Sequence, residues 1–223
     1  MKDKPETEEV REAPAPPSRG RPSSGIRSAI VLAAIDEFAR EGFGGARVER
    51  ISKSAGTSDR MLYYYFESKD GLFQAALEKV HEDFVAAASS IELDELDPRE
   101  ALWRLVAFVW RHYLNHPQFI SLVNTENRFE ARHATQSDSI PRSAAPQLKL
   151  VDDLLRRGVK SGHFRRDATA VQVHLTIVSL CYYYQSNAAT MSNYLGYDMR
   201  SDEALDAWLG HITRVVLDWL IKT

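Results

Sequence analysis

Between Glu41 and Phe73 the chain runs EGFGGARVERISKSAGTSDRMLYYYFESKDGLF, three helical fragments separated by two short breaks. Val48, Ile51 and Ala55 recur three and four apart and stop at Gly56. After Thr57 and Ser58 a second fragment starts at Asp59 and reaches Phe66, and Glu67-Ser68 opens a longer helix with Ser68 as N-cap and Leu72, Phe73, Ala76, Leu77, Val80 and Phe84 on its apolar stripe. Upstream, Ile30, Ala33, Ala34 and Phe38 mark an amphipathic helix with Asp36, Glu37 and Arg40 on its polar positions, ended by Gly42. Two short helices joined by a glycine-containing turn and followed at once by a long helix have the geometry of a helix-turn-helix. Val48, Ile51, Ala55, Leu62 and Phe66 are expected to lock the short helices onto Ile30, Ala34 and Phe38, which leaves the fragment from Asp59 to Tyr65 to face a partner.

The remainder of the chain is also helical in pattern. After a break at Asp94–Pro98, Leu102, Leu105, Val106, Val109 and Tyr113 keep helical spacing until His116-Pro117. A helix is expected from Gln118 to His133, a polar loop over Ala134–Ser143, and a helix over Leu148–Lys160 punctuated by Gly158 and Gly162. Two long helices follow, Asp167 to Asn187 and Asp202 to Ile221. No segment alternates with strand periodicity, and Tyr182-Tyr183-Tyr184 sits inside a long apolar helical run. The expected fold is all-α with about nine helices. Three regions are expected: an arm over 1–24, a helix-turn-helix unit over 25–72, and a larger helical unit over 73–223.

Composition bounds the function. The 223 residues are 44% hydrophobic, enough for a packed core, and carry one cysteine, Cys181, and seven scattered histidines, so neither a disulfide nor a zinc cluster is expected to hold the fold. The first residues are acidic and proline-rich with no apolar centre, unlike a signal peptide, and the longest apolar run, Leu175 to Tyr184, is too short to span a bilayer. A cytoplasmic protein with no membrane contact is expected. The formal net charge of -3 advertises no affinity for nucleic acid, so any such function has to come from the motif.

The motif is specific. Glu41-Gly42-Phe43, Val48-x-x-Ile51-x-x-x-Ala55-Gly56-Thr57-Ser58 and Leu62-Tyr63-Tyr64-x-Phe66-x-Ser68-Lys69 resemble the DNA-binding domain of the TetR family of transcriptional regulators, over about Arg27 to Phe84. The resemblance implies a homodimer on a palindromic double-stranded operator. Candidate DNA contacts are Arg27, Arg47, Glu49, Asp59, Arg60, Met61, Tyr63, Tyr64, Tyr65 and Lys69. Arg60 suits a guanine edge, Met61 a thymine methyl, the tyrosine hydroxyls bases or phosphates, and Lys69 a phosphate beside a helix N-terminus. One of the three tyrosines, Tyr63, is expected to be partly core, and Arg47, Arg50 and Lys53 also fit an ordinary solvated face. Ala46 and Arg47 stand where family members usually cap the second helix with a hydroxyl, Thr57 replaces a common Val, and Met61 a common Thr or Ser. Residues 25–72 hold seven basic and seven acidic residues. That balance gives weight to Arg19 and Arg21, in the string Ser18-Arg19-Gly20-Arg21-Pro22, as a minor-groove hook.

The last two helices fit a dimer interface. Leu205, Trp208, Leu209, Ile212, Val215, Val216, Trp219 and Leu220 form a wide apolar stripe, and Leu175–Tyr184 is apolar nearly all round. A pocket is read from polar groups on apolar faces: Glu126 and His133, flanked by Asn124, Asn127 and Arg128, are expected to meet Trp103, Trp110, Tyr182, Tyr183 and Asn187 around a small organic effector, planar and partly polar, with no other cofactor. The strings around His116–Asn127 and Cys181–Thr190 are similar to the C-terminal domain of a TetR subgroup that includes regulators of pyrimidine use. A repressor released by its ligand is the leading reading. An activator, an architectural DNA-binding protein without effector, and an enzyme using Glu126 and His133 are the alternatives, the last disfavoured by the lack of a nucleophile, phosphate loop or metal set.

Overall fold

The computed structural model describes residues 24–221. Nine α-helices follow one another: α1 Ser24–Gly45, α2 Val48–Ser54, α3 Asp59–Phe66, α4 Lys69–Ser89, α5 Pro98–Asn115, α6 Pro117–Arg128, α7 Ser139–Lys160, α8 Ala170–Leu195 and α9 Asp202–Leu220. A 3-10 turn, Ala134–Gln136, precedes α7. The only β pairing among the described residues is an isolated antiparallel bridge between Phe164 and Ile221. The all-α architecture is the expected one.

Helix α1 buries Ile30, Ala34 and Phe38 at four-residue spacing, and its backbone leaves helical geometry at Gly42, where φ is 66°. It lies across α4 and α6, so the apolar core runs unbroken from the front three helices into the rest of the molecule. Helix α4 crosses the expected boundary at residues 72 and 73 without interruption. Helix α5 is the axis of the larger part. Asp97 caps it by accepting from the Arg99 N–H at 2.9 Å, Pro98 occupies its first turn, and Leu102, Leu105, Val106, Val109, Trp110 and Tyr113 are buried against α6, α7, α8 and α9. Arg157 on α7 closes the link between α4 and α5 by donating to the carbonyls of Leu93, at 2.8 Å, and of Asp94 and Leu96.

Three expected boundaries are corrected. Helix α6 ends at Arg128, not His133, because Glu130 and Ala131 adopt positive φ and turn the chain back. Helix α7 starts at Ser139, nine residues before the expected Leu148. The Ser137 hydroxyl accepts from the N–H groups of Ser139 and Ile140, each at 3.2 Å, and donates to Glu78 at 2.6 Å, so a side chain outside the helix satisfies its first turn. Pro146 lies inside that helix, where it removes one backbone bond without ending the run. Helix α8 begins at Ala170 behind a Thr169/Gln172 capping box, and it continues past Asn187 to Leu195, stopping at the left-handed Gly196.

Gly158 shows why α7 needs a residue without a side chain. A Cβ there would overlap the ring of Phe164, itself fully buried beside the Phe164–Ile221 bridge. Gly158→Ala should therefore destabilise the protein by ~1–3 kcal/mol through overpacking, outweighing the ~1 kcal/mol that alanine gains in helix propensity. Urea unfolding of the two proteins measures the difference.

Candidate nucleic-acid interface

Helices α2 and α3 are held as one rigid wedge. Gly56 takes φ 64° in the turn, a conformation that a Cβ disfavours, and the Thr57 N–H donates to the Ser52 carbonyl at 2.9 Å. The Ser58 hydroxyl caps α3 by accepting from the Met61 N–H, and the Ser52 hydroxyl donates to the Asp59 carboxylate. Ile51, Leu62 and Phe66 are buried. On the outer face of α3, Arg60, Tyr63 and Tyr64 stand in solvent, Tyr64 being 66% exposed. Arg47 and Glu49 are exposed beside them, and Met61 is half-buried. Arg27 is exposed on α1 with its guanidinium 5.1 Å from the centre of the Phe66 ring.

Several candidates sit differently from expectation. Tyr65, not Tyr63, is the partly buried tyrosine, and its hydroxyl is buried without a hydrogen-bond partner. Asp59 is occupied by Ser52. The Lys69 ammonium donates to the Ala46 carbonyl at 2.6 Å and lies 5.0 Å over the Phe43 ring. Burial pulls its pKa below the ordinary lysine value, with the charge of Glu37 opposing the shift. Lys69 therefore ties the start of α4 to the loop before α2. Arg19 and Arg21 lie outside the described residues.

The residue missed by sequence reading is Glu37. It was expected on the solvated side of α1, yet it is only 3% exposed. One carboxylate oxygen accepts from the Arg47 backbone N–H at 3.0 Å and from Arg50 Nε at 2.7 Å; the other accepts from Arg40. Arg47 is the N-cap of α2 and offers no side-chain bond of its own; a glutamate from α1 accepts instead from the N-cap backbone N–H, the donor that the N3 acid of a capping box would take. The missing hydroxyl at positions 46 and 47 was the available signal.

A second buried carboxylate sits behind the wedge. Glu126, at the end of α6, accepts from the N–H groups of His133 and Ala134, both at 2.7 Å, and its other oxygen lies 2.7 Å from His133 Nδ1. His133 Nε2 is 3.3 Å from the Asp70 carboxylate at the start of α4, which also accepts from Arg132. The loop that follows α6 is thereby pressed onto the front helices: Phe129 meets the edge of Phe43 at 5.1 Å, and the His133 ring meets Phe73 at 4.8 Å.

The expected pocket residues do not converge on one cavity. Glu126 and His133 form this junction. Asn124, Asn127 and Tyr182 make a separate cluster between α6 and α8, in which the Tyr182 hydroxyl donates to Asn124 Oδ1 and accepts from Asn127 Nδ2 at 3.1 Å. Trp110 is buried against Tyr184 in the core, whereas Trp103 lies in an open groove between α4 and α5 with His112 and His116. Arg128 and Tyr183 are exposed, and Asn187 bonds the carbonyl of Tyr183 on its own helix. A small interior cavity instead lies between α4, α5, α7 and α8, walled by Phe84, Leu105, Phe108, Leu150 and Ile177 with Gln147 and His174 as polar groups. A cleft of about 230 Å³ between α4 and α7 adjoins it, sharing Ala88, Gln147 and Leu150. Among the described residues no cluster of three metal-ligating side chains occurs, and no helix is long and apolar enough to cross a membrane.

Known proteins match this arrangement over both parts. A family model described as bacterial regulatory proteins, tetR family, covers residues 30–76, and one described as the tetracyclin repressor-like C-terminal domain covers residues 98–216. The chain belongs to the TetR family. It is 37% identical over 199 residues to the HTH-type transcriptional repressor NicS of Pseudomonas putida, spanning 89% of this chain and 94% of NicS. The regulator RutR of Escherichia coli K12 matches at 38% over 76 residues, 34% of this chain and 36% of RutR. Among solved structures, the transcriptional regulator SCO4942 from Streptomyces coelicolor has a TM-score of 0.64 at 25% identity, over 87% of this chain and 98% of its own. The fatty acid degradation regulator FadR from Bacillus halodurans has a TM-score of 0.68 at 21% identity over 88% and 96%, a likeness of fold. This TetR-family chain is a DNA-binding transcriptional regulator.

Removing the buried acceptor should loosen its reading head. Glu37→Ala is expected to lower unfolding stability by about 2 kcal/mol, the scale of hydrogen bonds to a charged group, and Glu37→Gln by less because an acceptor remains. Equilibrium urea unfolding of the three proteins tests the order.

Proposed function

We propose that this TetR-family regulator is a cytoplasmic homodimeric repressor that holds a palindromic operator with its two α3 helices and releases it when a small organic molecule binds the larger part. The observation that carries the reading is the α3 face. Arg60, Tyr63 and Tyr64 are displayed on a helix whose opposite side is locked by Leu62 and Phe66, so the donors meet a major groove in a fixed geometry. Arg47 and Arg27 are exposed and would serve phosphates, as would Lys69 with the N–H groups not given to Ala46, while Asp59 and Tyr65 would act by holding α3 in place.

Dimerisation is supported by apolar surface on the last two helices. Val171, Leu175, Tyr183, Tyr194 and Leu195 on α8 and Val215 on α9 are exposed, with Trp208 and Trp219 half-buried beside them. Such a patch suits a two-fold interface, which sets two reading heads about one DNA turn apart. Effector response is supported by the cleft between α4 and α7, which adjoins the small interior cavity, and by the junction through which α6 grips the front helices. Glu126 and His133 serve that junction, which gives them a structural use in place of the acid–base use weighed for an enzyme.

Exposed side chains on α3 make the test clean. Arg60→Ala and Tyr64→Ala should each weaken binding to a fragment of the gene's own upstream region by about tenfold, the scale of one base or phosphate contact, with melting temperature unchanged. A gel shift with both variants binding as tightly as the parent would refute the assignment. For the arm, replacing Arg19 and Arg21 by Ala should reduce the slope of log affinity against log salt by about 2 for each arm, at ~0.9 for every phosphate that is no longer neutralised. Fluorescence anisotropy at several salt concentrations reads that slope.

A further inference from the structure

A cavity of about 510 Å³ lies away from the interior one, where the end of α5, α6, α8 and the turn into α9 meet; the two share no lining residue. Tyr113, Leu114, Pro117, Ile120 and Leu205 form apolar walls. Its polar groups have a bias. Arg200 is the single charged residue along it, no carboxylate lines it, and Arg200 enters none of the ion pairs found among the described residues. Gln185 also lines it, and Gln185 Nε2 is a buried donor with no hydrogen-bond partner. Asn124 Oδ1 already accepts from the Tyr182 hydroxyl and from Ser186 Oγ at 3.0 Å, which leaves the Asn124 nitrogen as a further donor.

A cation, two amide donors with no assigned acceptor and apolar walls complement one chemical class. The geometry points to a binding site for a small organic carboxylate, its charged end paired with Arg200 and accepting from Gln185, its apolar body against Tyr113, Pro117 and Ile120. The inference rests on the reading of this chain as effector-responsive, and it supplies a route for that response. Ile120 and Asn124 belong to α6, the helix that packs along α1 and whose following loop seats Phe129 and His133 on Phe43 and Phe73. A ligand that draws α6 toward Arg200 and α8 acts on the helix that fixes the reading head.

Calorimetric titration of the full-length protein with benzoate and hexanoate, beside neutral benzamide and hexanamide, tests the site. At least one carboxylate should bind saturably at one site per chain, and its amide at least about tenfold more weakly, as expected when a charge-assisted pair is removed. Arg200→Ala should weaken the carboxylate by about tenfold or more, with Arg200→Lys between the two and Gln185→Leu weaker than the parent. Arg200 is exposed, so unchanged thermal melting should show that the variant folds. Absence of binding by both carboxylates up to about 10 mM, or equal binding to the Arg200→Ala variant, overturns the site. A carboxylate that binds through Arg200 yet leaves the operator gel shift unchanged upholds the site and sinks the ligand-release reading instead.

Discussion

The contact on which the reading head depends is the aromatic junction between α1, α4 and the loop after α6. Phe38 and Phe73 meet edge to face at 5.0 Å, Phe43 sits against Phe73 at 5.4 Å, and Phe129 and His133 close the group from the other side. Phe38 belongs to α1, Phe73 to α4 and His133 to the loop, so three segments that are distant in sequence share one packed surface. Interiors packed at crystal-like density transmit displacement and do not absorb it. A shift of α6 is therefore passed to α1 or α4, and α3 packs against both.

Two buried carboxylates act on backbone, one at the entry to α2 and one in the loop that closes that junction. Glu37 accepts from the N–H of Arg47, the N-cap of α2, and Glu126 accepts from two N–H groups of the loop after α6. Each thereby converts a segment without regular hydrogen bonds into a fixed one. Their partners differ: Glu37 faces the exposed Arg40 and Arg50, whereas Glu126 is enclosed with His133. Exposed arginines keep part of their hydration, so loss of Glu37 frees them to water. Loss of Glu126 would leave the N–H groups of His133 and Ala134 and the Nδ1 of a buried imidazole without their acceptor, a heavier penalty.

Most of the fold was legible because its signals are local. Gly56, Ser58, Ser68 and Pro98 act within a few residues of themselves, and the helices they bound appear where they point; Gly42 kinks α1, which runs on to Gly45. The errors share a different cause. Nothing near residue 133 says that Glu126 will reach across to its N–H, and nothing near residue 139 says that Ser137 will cap a helix containing Pro146. On α3, Tyr63 and Tyr65 lie at equal angles, about 80°, on either side of the mean direction of Leu62 and Phe66 at 3.6 residues per turn. Spacing could not choose between them; tertiary packing sets Tyr65 against the core. The pocket was misread for the same reason, since polar residues on one apolar helix face were satisfied by three different neighbours.

The charge balance of the reading head has a kinetic meaning. Residues 25–72 carry equal numbers of acids and bases, and two of the arginines are drawn to Glu37. Apart from whatever phosphates it contacts, a surface without net charge adds little general attraction to DNA, so on the proposed reading the described head alone would hold random sequence weakly. Such a head would spend little of its time stalled on the vast excess of wrong sites, and the arm with Arg19 and Arg21 would set how far the search departs from short visits separated by diffusion through solution. On the proposed contacts, discrimination would then rest on how long the correct site retains it, a time set by the few donors on α3 and by the rigidity behind them.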